Sequence, residues 1–348
     1  MAPSCGRNSV SDGKNPVPKT YKSKLLAGAA PLAVLALIEC AVPAAQAQDM
    51  PAWLKPVRYD IFAEGGYSLG SSVNEIPFAE FNNGAGTRFP FKMDPGSGLE
   101  GRVGAGIHFG GGWNANVGYT GLRINGKDDT GQHPNFFVYT ILGGSATSWN
   151  RAVIKTSISA NIVDFQAGYD VGLGNPLGTG AGQATLLAGV RYGQVKQNTE
   201  VDVFSAANVL QVHDARRSSF IGAGPSLGAK ASLPLNDRVS LDGSALGAAM
   251  VGRLSSDTDA AFVPAGAIPV NHVHTNKVAW SSDAQLALSV SQPYGSTMML
   301  FSVGYRVSYL ANVRDTANQS STAPFAQYGS TTADLLSHGP FARLTFSF

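Results

Sequence analysis

From residue 57 to the last residue, apolar and polar side chains alternate in runs of six to twelve. Period two marks strands whose two faces meet different surroundings. The final eight residues show it plainly: Ala342, Leu344, Phe346 and Phe348 are apolar, while Arg343, Thr345 and Ser347 between them are polar. A soluble sandwich could use such a strand at an edge. A strand that carries its last aromatic to the free carboxylate is expected of a transmembrane barrel, whose closing strand brings a ring to the periplasmic interface. Leu344, Phe346 and Phe348 are therefore read as the assembly signal.

The same alternation predicts nine strands before it. Val57, Tyr59, Ile61, Ala63, Tyr67 and Leu69 oppose Arg58, Asp60, Glu64 and Ser68. Leu99, Val103, Ala105, Ile107 and Phe109 oppose Glu100, Arg102 and His108, and after Gly110-Gly111-Gly112 the series Trp113, Ala115, Val117, Tyr119 opposes Asn114, Asn116 and Thr120. Further strands follow around 163–171, 185–192, 221–233, 239–251, 278–290 and 299–309. The fold class is all-β, an up-and-down antiparallel barrel of about ten strands. Twelve remain possible if the apolar patch from Phe136 to Leu142 joins another hairpin. Between strands, long polar segments (70–98, 125–153, 202–217, 255–276, 311–333) alternate with short turns (110–112, 174–183, 236–237, 292–296). Long outer loops and short inner turns are expected of a barrel with both termini in the periplasm. Phe109, Trp113, Phe346 and Phe348 fall toward the short turns, and Tyr67, Tyr192, Trp280, Tyr305 and Tyr309 toward the long ones, as two interfacial girdles.

Composition narrows the class. Charged residues are 14% of the chain, Gly numbers 41 and mean hydropathy is +0.00. A soluble domain carries nearer a quarter charged residues, and a helical membrane protein needs apolar runs of about 20. The run from Leu25 to Ala47 approaches that length. Lys22 and Lys24 before it, and Ala45-Gln46-Ala47 at its end, read as a signal peptide over 1–47, cut after Ala47. The barrel domain is then 48–348. Glu39 before Cys40 disfavours a lipoprotein signal. Both cysteines, Cys5 and Cys40, belong to the leader, which suits an oxidising compartment and excludes thiolate chemistry in the mature chain. Of 25 cations and 23 anions, the leader takes five and two, leaving 20 and 21. No basic surface for nucleic acid remains. The expected partners are outer-membrane lipid, lipopolysaccharide and the outer-membrane assembly machinery.

Strands five to seven carry a more specific pattern. Gly189-Val190-Arg191-Tyr192 precedes a variable segment, then Gly222-Ala223-Gly224-Pro225-Ser226-Leu227-Gly228, Leu233-Pro234-Leu235 and Val239-Ser240-Leu241-Asp242-Gly243 follow. This order resembles the Legionella-type pore-forming major outer membrane protein family, chiefly over residues 186–253. The resemblance implies a pore-forming barrel of Gram-negative outer membranes and brings no catalytic residues or cofactor.

The inward charges are the candidate site. Arg58, Arg102, Arg123, Arg191, Lys230, Arg306 and Arg343 face Asp60, Glu64, Glu100, Asp164, Asp170, Asp242 and Asp283. A buried charge needs a partner, so this set reads either as the polar lining of a pore passing small solutes or ions, or as a salt-bridged filling. The filled barrel would serve a structural or adhesive role through its loops. Ten strands lie near the narrow end of barrel size, so any conductance is expected to be small or gated. Asp128-Asp129, His213-Asp214 and His272-Val273-His274 could activate water or hold a metal. Such residues are common in loops, and the chain is expected to be neither an enzyme nor a metalloprotein.

Overall fold

A computed structural model of the chain describes residues 56–73, 79–82, 88–91, 95–132, 137–140, 149–176, 180–262, 266–315 and 332–348. The leader and the cleavage position expected after Ala47 lie outside the described residues. The strands are β1 (Pro56–Val73), β2 (Ala79–Asn82), β3 (Arg88–Phe91), β4 (Ser97–Phe109), β5 (Trp113–Asp129), β6 (Phe137–Thr140), β7 (Trp149–Gly174), β8 (Gly182–Ser205), β9 (Leu210–Pro234), β10 (Val239–Phe262), β11 (Gly266–Tyr294), β12 (Thr297–Asp315) and β13 (Thr332–Ser347). Ten of them close into a ring in the order β1-β13-β12-β11-β10-β9-β8-β7-β5-β4. Closure satisfies every strand edge, which the hydrocarbon interior demands. The seam joins the first and last strands, from Asp60 opposite Ser347 to Val73 opposite Asp334. Tyr59 and Phe348 extend it by exchanging two backbone hydrogen bonds of 2.8 and 3.0 Å, with their rings stacked at 6.3 Å.

The ring of ten strands is as expected from the alternation, and the alternative of twelve is corrected. Phe137–Thr140 does form a strand, but it pairs with β2 in a separate sheet of order β3-β2-β6. Among the described residues no helix is long and apolar enough to cross a membrane; the crossing is made by strands.

The strands run much further than the alternation suggested, because the polarity of their two faces exchanges part of the way along while each residue keeps its facing. On β8 the outward residues are Ala184, Leu186, Ala188, Val190 and Tyr192, then Gln194, Lys196, Asn198 and Glu200, while the buried inner residues switch to Val195, Val201 and Val203. β7 places Val163, Phe165, Ala167 and Tyr169 outward below this level, and Ile154, Ile158, Ala160 and Ile162 inward above it. On β5 outward Trp113 to Tyr119 give way to inward Leu122 and Ile124. On β9 inward Phe220 succeeds outward Ile221, and on β10 inward Leu254 succeeds outward Val251. The nine residues from Ala184 to Tyr192 span roughly 30 Å along the strand, or about 23 Å of height at a tilt of about 40°. That matches the apolar band of a membrane barrel, about 25 Å tall. Beyond it the strands stand in water, and each face takes the character of its new surroundings: polar outside, apolar inside.

This reversal corrects the loop assignments. The segment 202–217 is mostly strand, with β8 and β9 joined by only 206–209, and 255–276 is mostly the β10–β11 hairpin, paired as far as Phe262 opposite Gly266. The outer excursions are long, as expected, but two of them are tall hairpins. The inner turns fall as expected at Gly110–Gly112, between Gly174 and Gly182, between Pro234 and Val239, and at Gly295, whose φ is 63°. Asn236 shapes the third by accepting the backbone N–H groups of Arg238 and Val239 at 2.9 Å each. Trp113, Tyr169 and Phe348 near the inner turns, and Tyr67, Tyr192 and Trp280 further out, are all exposed outward, as girdles require.

Inside, above the reversal, Leu122, Ile124, Ile158, Ala160, Ile162, Val195, Phe220, Met250, Leu254, Ala279, Leu310, Val313 and Leu335 form one apolar cluster. Its largest ring depends on a glycine: a Cβ at Gly222 would meet Phe220 Cζ at 2.6 Å. Three substitutions test the opposite facings. Leu286, exposed on the lipid face, should cost about 2–4 kcal/mol as Leu286→Arg. Phe220→Ala should cost about 3–5 kcal/mol as a core truncation, whereas Lys196→Leu on the outer wall above the membrane should cost far less than either. Reversible urea unfolding in detergent micelles measures all three.

Candidate functional site in the barrel lumen

Within the membrane-spanning height the inner face is polar because the outer face must be apolar, and strict alternation assigns every second residue to the lumen. The central residue is Arg191 on β8. Its cross-strand neighbour on β7 is Asp164, which it holds bidentately, Nε to Oδ1 at 2.7 Å and Nη2 to Oδ2 at 3.0 Å. Its Nη1 donates to Asp283 Oδ2 at 2.5 Å and to Ser281 Oγ at 2.9 Å on β11. β11 lies three strands away around the ring, so this guanidinium bridges the lumen, and it is fully buried.

A second network forms on the other wall. Glu64 on β1 accepts from Arg306 of β12 and from Arg343 of β13, the latter through Nε at 2.8 Å. Arg306 also donates to Glu100 on β4 at 2.6 Å and to Gln285 Oε1 at 2.8 Å. Arg102 lies 3.5 Å from Glu100 and donates to Thr120 Oγ1 at 2.8 Å. Phe341 lies under Arg306, 4.8 Å from the guanidinium to the ring centre, and Phe62 lies 5.0 Å from Arg343. These stacked contacts order side chains that hydrogen bonds alone would leave free to swing.

Nearer the periplasmic mouth, Asp60 contacts His108 Nε2 at 2.8 Å and Arg58 at 3.2 Å. Asp170 accepts from Thr185 at 2.6 Å and Asn114 at 3.2 Å, and Asp242 accepts from Ser240 and Ser289. Lys230 differs from the other expected lining residues. It forms no ion pair among the described residues and reaches a cavity of about 120 Å³ that Arg102, Asp164, Asp283, Arg306 and Arg343 also line. That is room for about four waters.

One expected lumen residue is misplaced: Arg123 on β5 is exposed on the outer wall, beyond the reversal. It shares parity with Trp113 and Tyr119, so its direction follows from the alternation. The apolar layer that caps the charged networks was missed altogether. Its signal is a change in the parity of the apolar residues along several strands, as between Tyr192 and Val195 on β8.

The loop candidates for chemistry sit on strands, and neighbouring residues there point apart. His213 meets Asp202 at 2.7 Å, whereas Asp214 is buried and pairs with Arg216 at 2.7 Å. His272 meets Asp257 at 2.7 Å. No group of three or more His, Cys, Asp or Glu residues with metal-binding placement occurs among the described residues. Asp129 instead forms a clamp between strand ends: Arg151 donates Nε to Oδ1 at 2.9 Å and Nη2 to Oδ2 at 2.5 Å, and the Gly131 N–H adds a bond of 3.0 Å. The Arg151 hydrogen bonds, with that of Gly131 behind them, lower the Asp129 carboxyl from the ordinary 3.8 to about 2.

A family model described as the Legionella pneumophila major outer membrane protein precursor matches residues 66–348. No curated protein matches the chain. Among solved structures, the outer membrane protease OmpT from Escherichia coli is similar at 12% identity and a TM-score of 0.45, covering 87% of this chain and 100% of its own. The Pseudomonas putida toluene transporter TodX is similar at 8% identity and a TM-score of 0.23, covering 87% and 93%. A Pseudomonas aeruginosa FadL homologue gives 8% and 0.20, covering 84% and 90%. Likenesses this distant carry no argument about function, and the barrel stands on its own strand pairing.

Arg191→Ala should destabilise the barrel by about 3–5 kcal/mol, because it leaves two carboxylates buried without their cation. Arg191→Met with Asp164→Asn and Asp283→Asn should recover much of that loss. Heat-modifiable gel mobility and urea midpoints report both. The Asp129 clamp has the opposite pH sense to a histidine pair. Its carboxyl is depressed on folding, so its contribution is complete above about pH 4 and is lost as pH falls through about 2. Amide exchange at the outer ends of β5 and β7 should rise in that window, and Asp129→Asn should remove the dependence.

Proposed function

The chain belongs to the Legionella major outer membrane protein family, an outer-membrane β-barrel, and from that premise and its lumen geometry we propose that it forms a narrow pore that is closed at rest. The observation that carries this reading is the division of the lumen by height. A charged cavity of about 120 Å³ occupies the membrane half, and one apolar layer that includes Phe220, Leu254 and Ile124 is buried in the barrel above it. Small ions entering from the periplasm meet paired charges of both signs, so selectivity for either sign is weak. Passage requires the apolar layer to part and wet.

A second reading is favoured by one contact. The Arg191 bridge to Asp164 and Asp283 ties walls together across the lumen as a structural filling does. On that reading the barrel conducts nothing and serves to hold its outer hairpins in place.

Planar-bilayer recording separates the two. The native barrel should give small, brief conductance steps. Phe220→Ala with Leu254→Ala, two residues directly opposite each other on β9 and β10, should give larger and longer openings while the folded gel mobility is kept. Silence from both proteins, folded and inserted, would leave the structural reading standing.

A further inference from the structure

Just above the lipid-facing band, the outer wall carries a row of cations on one side of the barrel. Register places them together. Arg123 on β5 lies opposite Ser159 of β7, Ser159 opposite Lys196 of β8, and Lys196 opposite Ser219 of β9. Arg253 on β10 lies opposite Ile221, and Arg217 on β9 opposite Asn198. All four cations are exposed, and none forms an ion pair among the described residues. Lys127 and Lys155 stand directly opposite each other one level higher. Like charges in that relation destabilise a sheet, and carboxylates offset them: Asp202 lies 3.8 Å from Lys155, and Asp129 lies close enough to Lys127 to feel its charge. The other side of the ring lacks this feature. At the same height the described outward residues there are Asn276 and His274 on β11, Leu336 and His338 on β13, Leu69 and Ser71 on β1, and Ser97 on β4.

The height is informative. Lys196 lies four residues beyond Tyr192, Arg253 two beyond Val251, and Arg123 four beyond Tyr119. At about 3.3 Å per residue and a tilt of about 40°, these groups stand some 5–10 Å above the edge of the hydrocarbon. Headgroups occupy that zone. We propose that this row binds the phosphorylated sugar headgroup of the outer-leaflet glycolipid, lipopolysaccharide, with the phosphates bridging Arg123, Lys196, Arg217 and Arg253 and the acyl chains lying on the apolar band below. Charge complementarity carries the choice of occupant: the four cations form no ion pair among the described residues, although Asp257 lies opposite Arg217 in the sheet, and they span five adjacent strands at a height where an anionic headgroup is fixed by its own acyl chains. The inference is independent of the pore reading.

The test uses the folded, detergent-solubilised full chain and purified lipopolysaccharide as probe, with its enzymatically dephosphorylated form and phosphatidylglycerol as comparisons. Lipopolysaccharide should raise the unfolding temperature of the native protein by several degrees, and the dephosphorylated form and phosphatidylglycerol should do much less. Replacing all four cations by Gln (Arg123→Gln, Lys196→Gln, Arg217→Gln, Arg253→Gln) should abolish that rise. Arg238→Gln, an exposed cation at the periplasmic turn, should retain it. An undiminished rise in the fourfold variant, or an equal rise with phosphatidylglycerol, overturns the proposal.

Discussion

A strand has two faces and a period of two, so each residue's surroundings are set by the medium on its side of the sheet. In this barrel that constraint governs everything else. Where lipid surrounds the wall, the outward positions must be apolar and the inward positions are left to carry polarity. Where water surrounds it, the assignment reverses while the strands stay paired, with a register shift on β12 between Leu310 and Arg314. The ring of hydrogen bonds, closed by β1 against β13, makes this possible because the backbone is satisfied at every height.

The charged layer and the apolar layer then follow as two answers to filling the same narrow cylinder. In the membrane half the lumen is dry enough that each carboxylate needs a cation or a hydroxyl. Guanidinium groups meet that need best because one planar fork reaches several acceptors. Arg191 and Arg306 each join elements that are not neighbours in the sheet. Above the membrane branched and aromatic side chains fill most of the interior as in a soluble protein, and the charges buried there, such as Asp214 with Arg216, are still paired. The boundary between the layers is therefore both a change in solvent and a change in what holds the opposite walls together.

The membrane half was legible in the sequence because its alternation is uninterrupted: Leu186 to Tyr192 and Phe301 to Val307 lie outward as their parity indicates. The outer half was obscured by the same regularity. Val195, Val201 and Val203 keep period two but on the other parity, with Lys196, Asn198 and Glu200 between them, so the strand reads as ending near Tyr192 and 202–217 reads as a polar loop. The inward facing of Asp164 and Arg191 was accessible from parity, and their adjacency from the hairpin between β7 and β8. The reach of Arg191 to Asp283 was not, since it depends on the stagger and diameter of the closed ring. Arg123 was placed in the lumen because it is charged, although its parity points outward. Charge marks the lumen only below the level at which the two faces exchange polarity.

That level also fixes the barrel's draught, the depth to which it sits in the bilayer. Moving inward by one pair of residues would drag Arg253, and then Lys196 and Arg123, into hydrocarbon. Moving outward would lift Val251, Tyr192 and Tyr119 into water. Both displacements act on several strands at once, so the penalties add around the circumference and resist tilting as well as sliding. A wall whose two faces trade places at one height is thus a waterline built into the chain, and the tall outer hairpins are held at a constant distance from the cell surface without any anchor of their own.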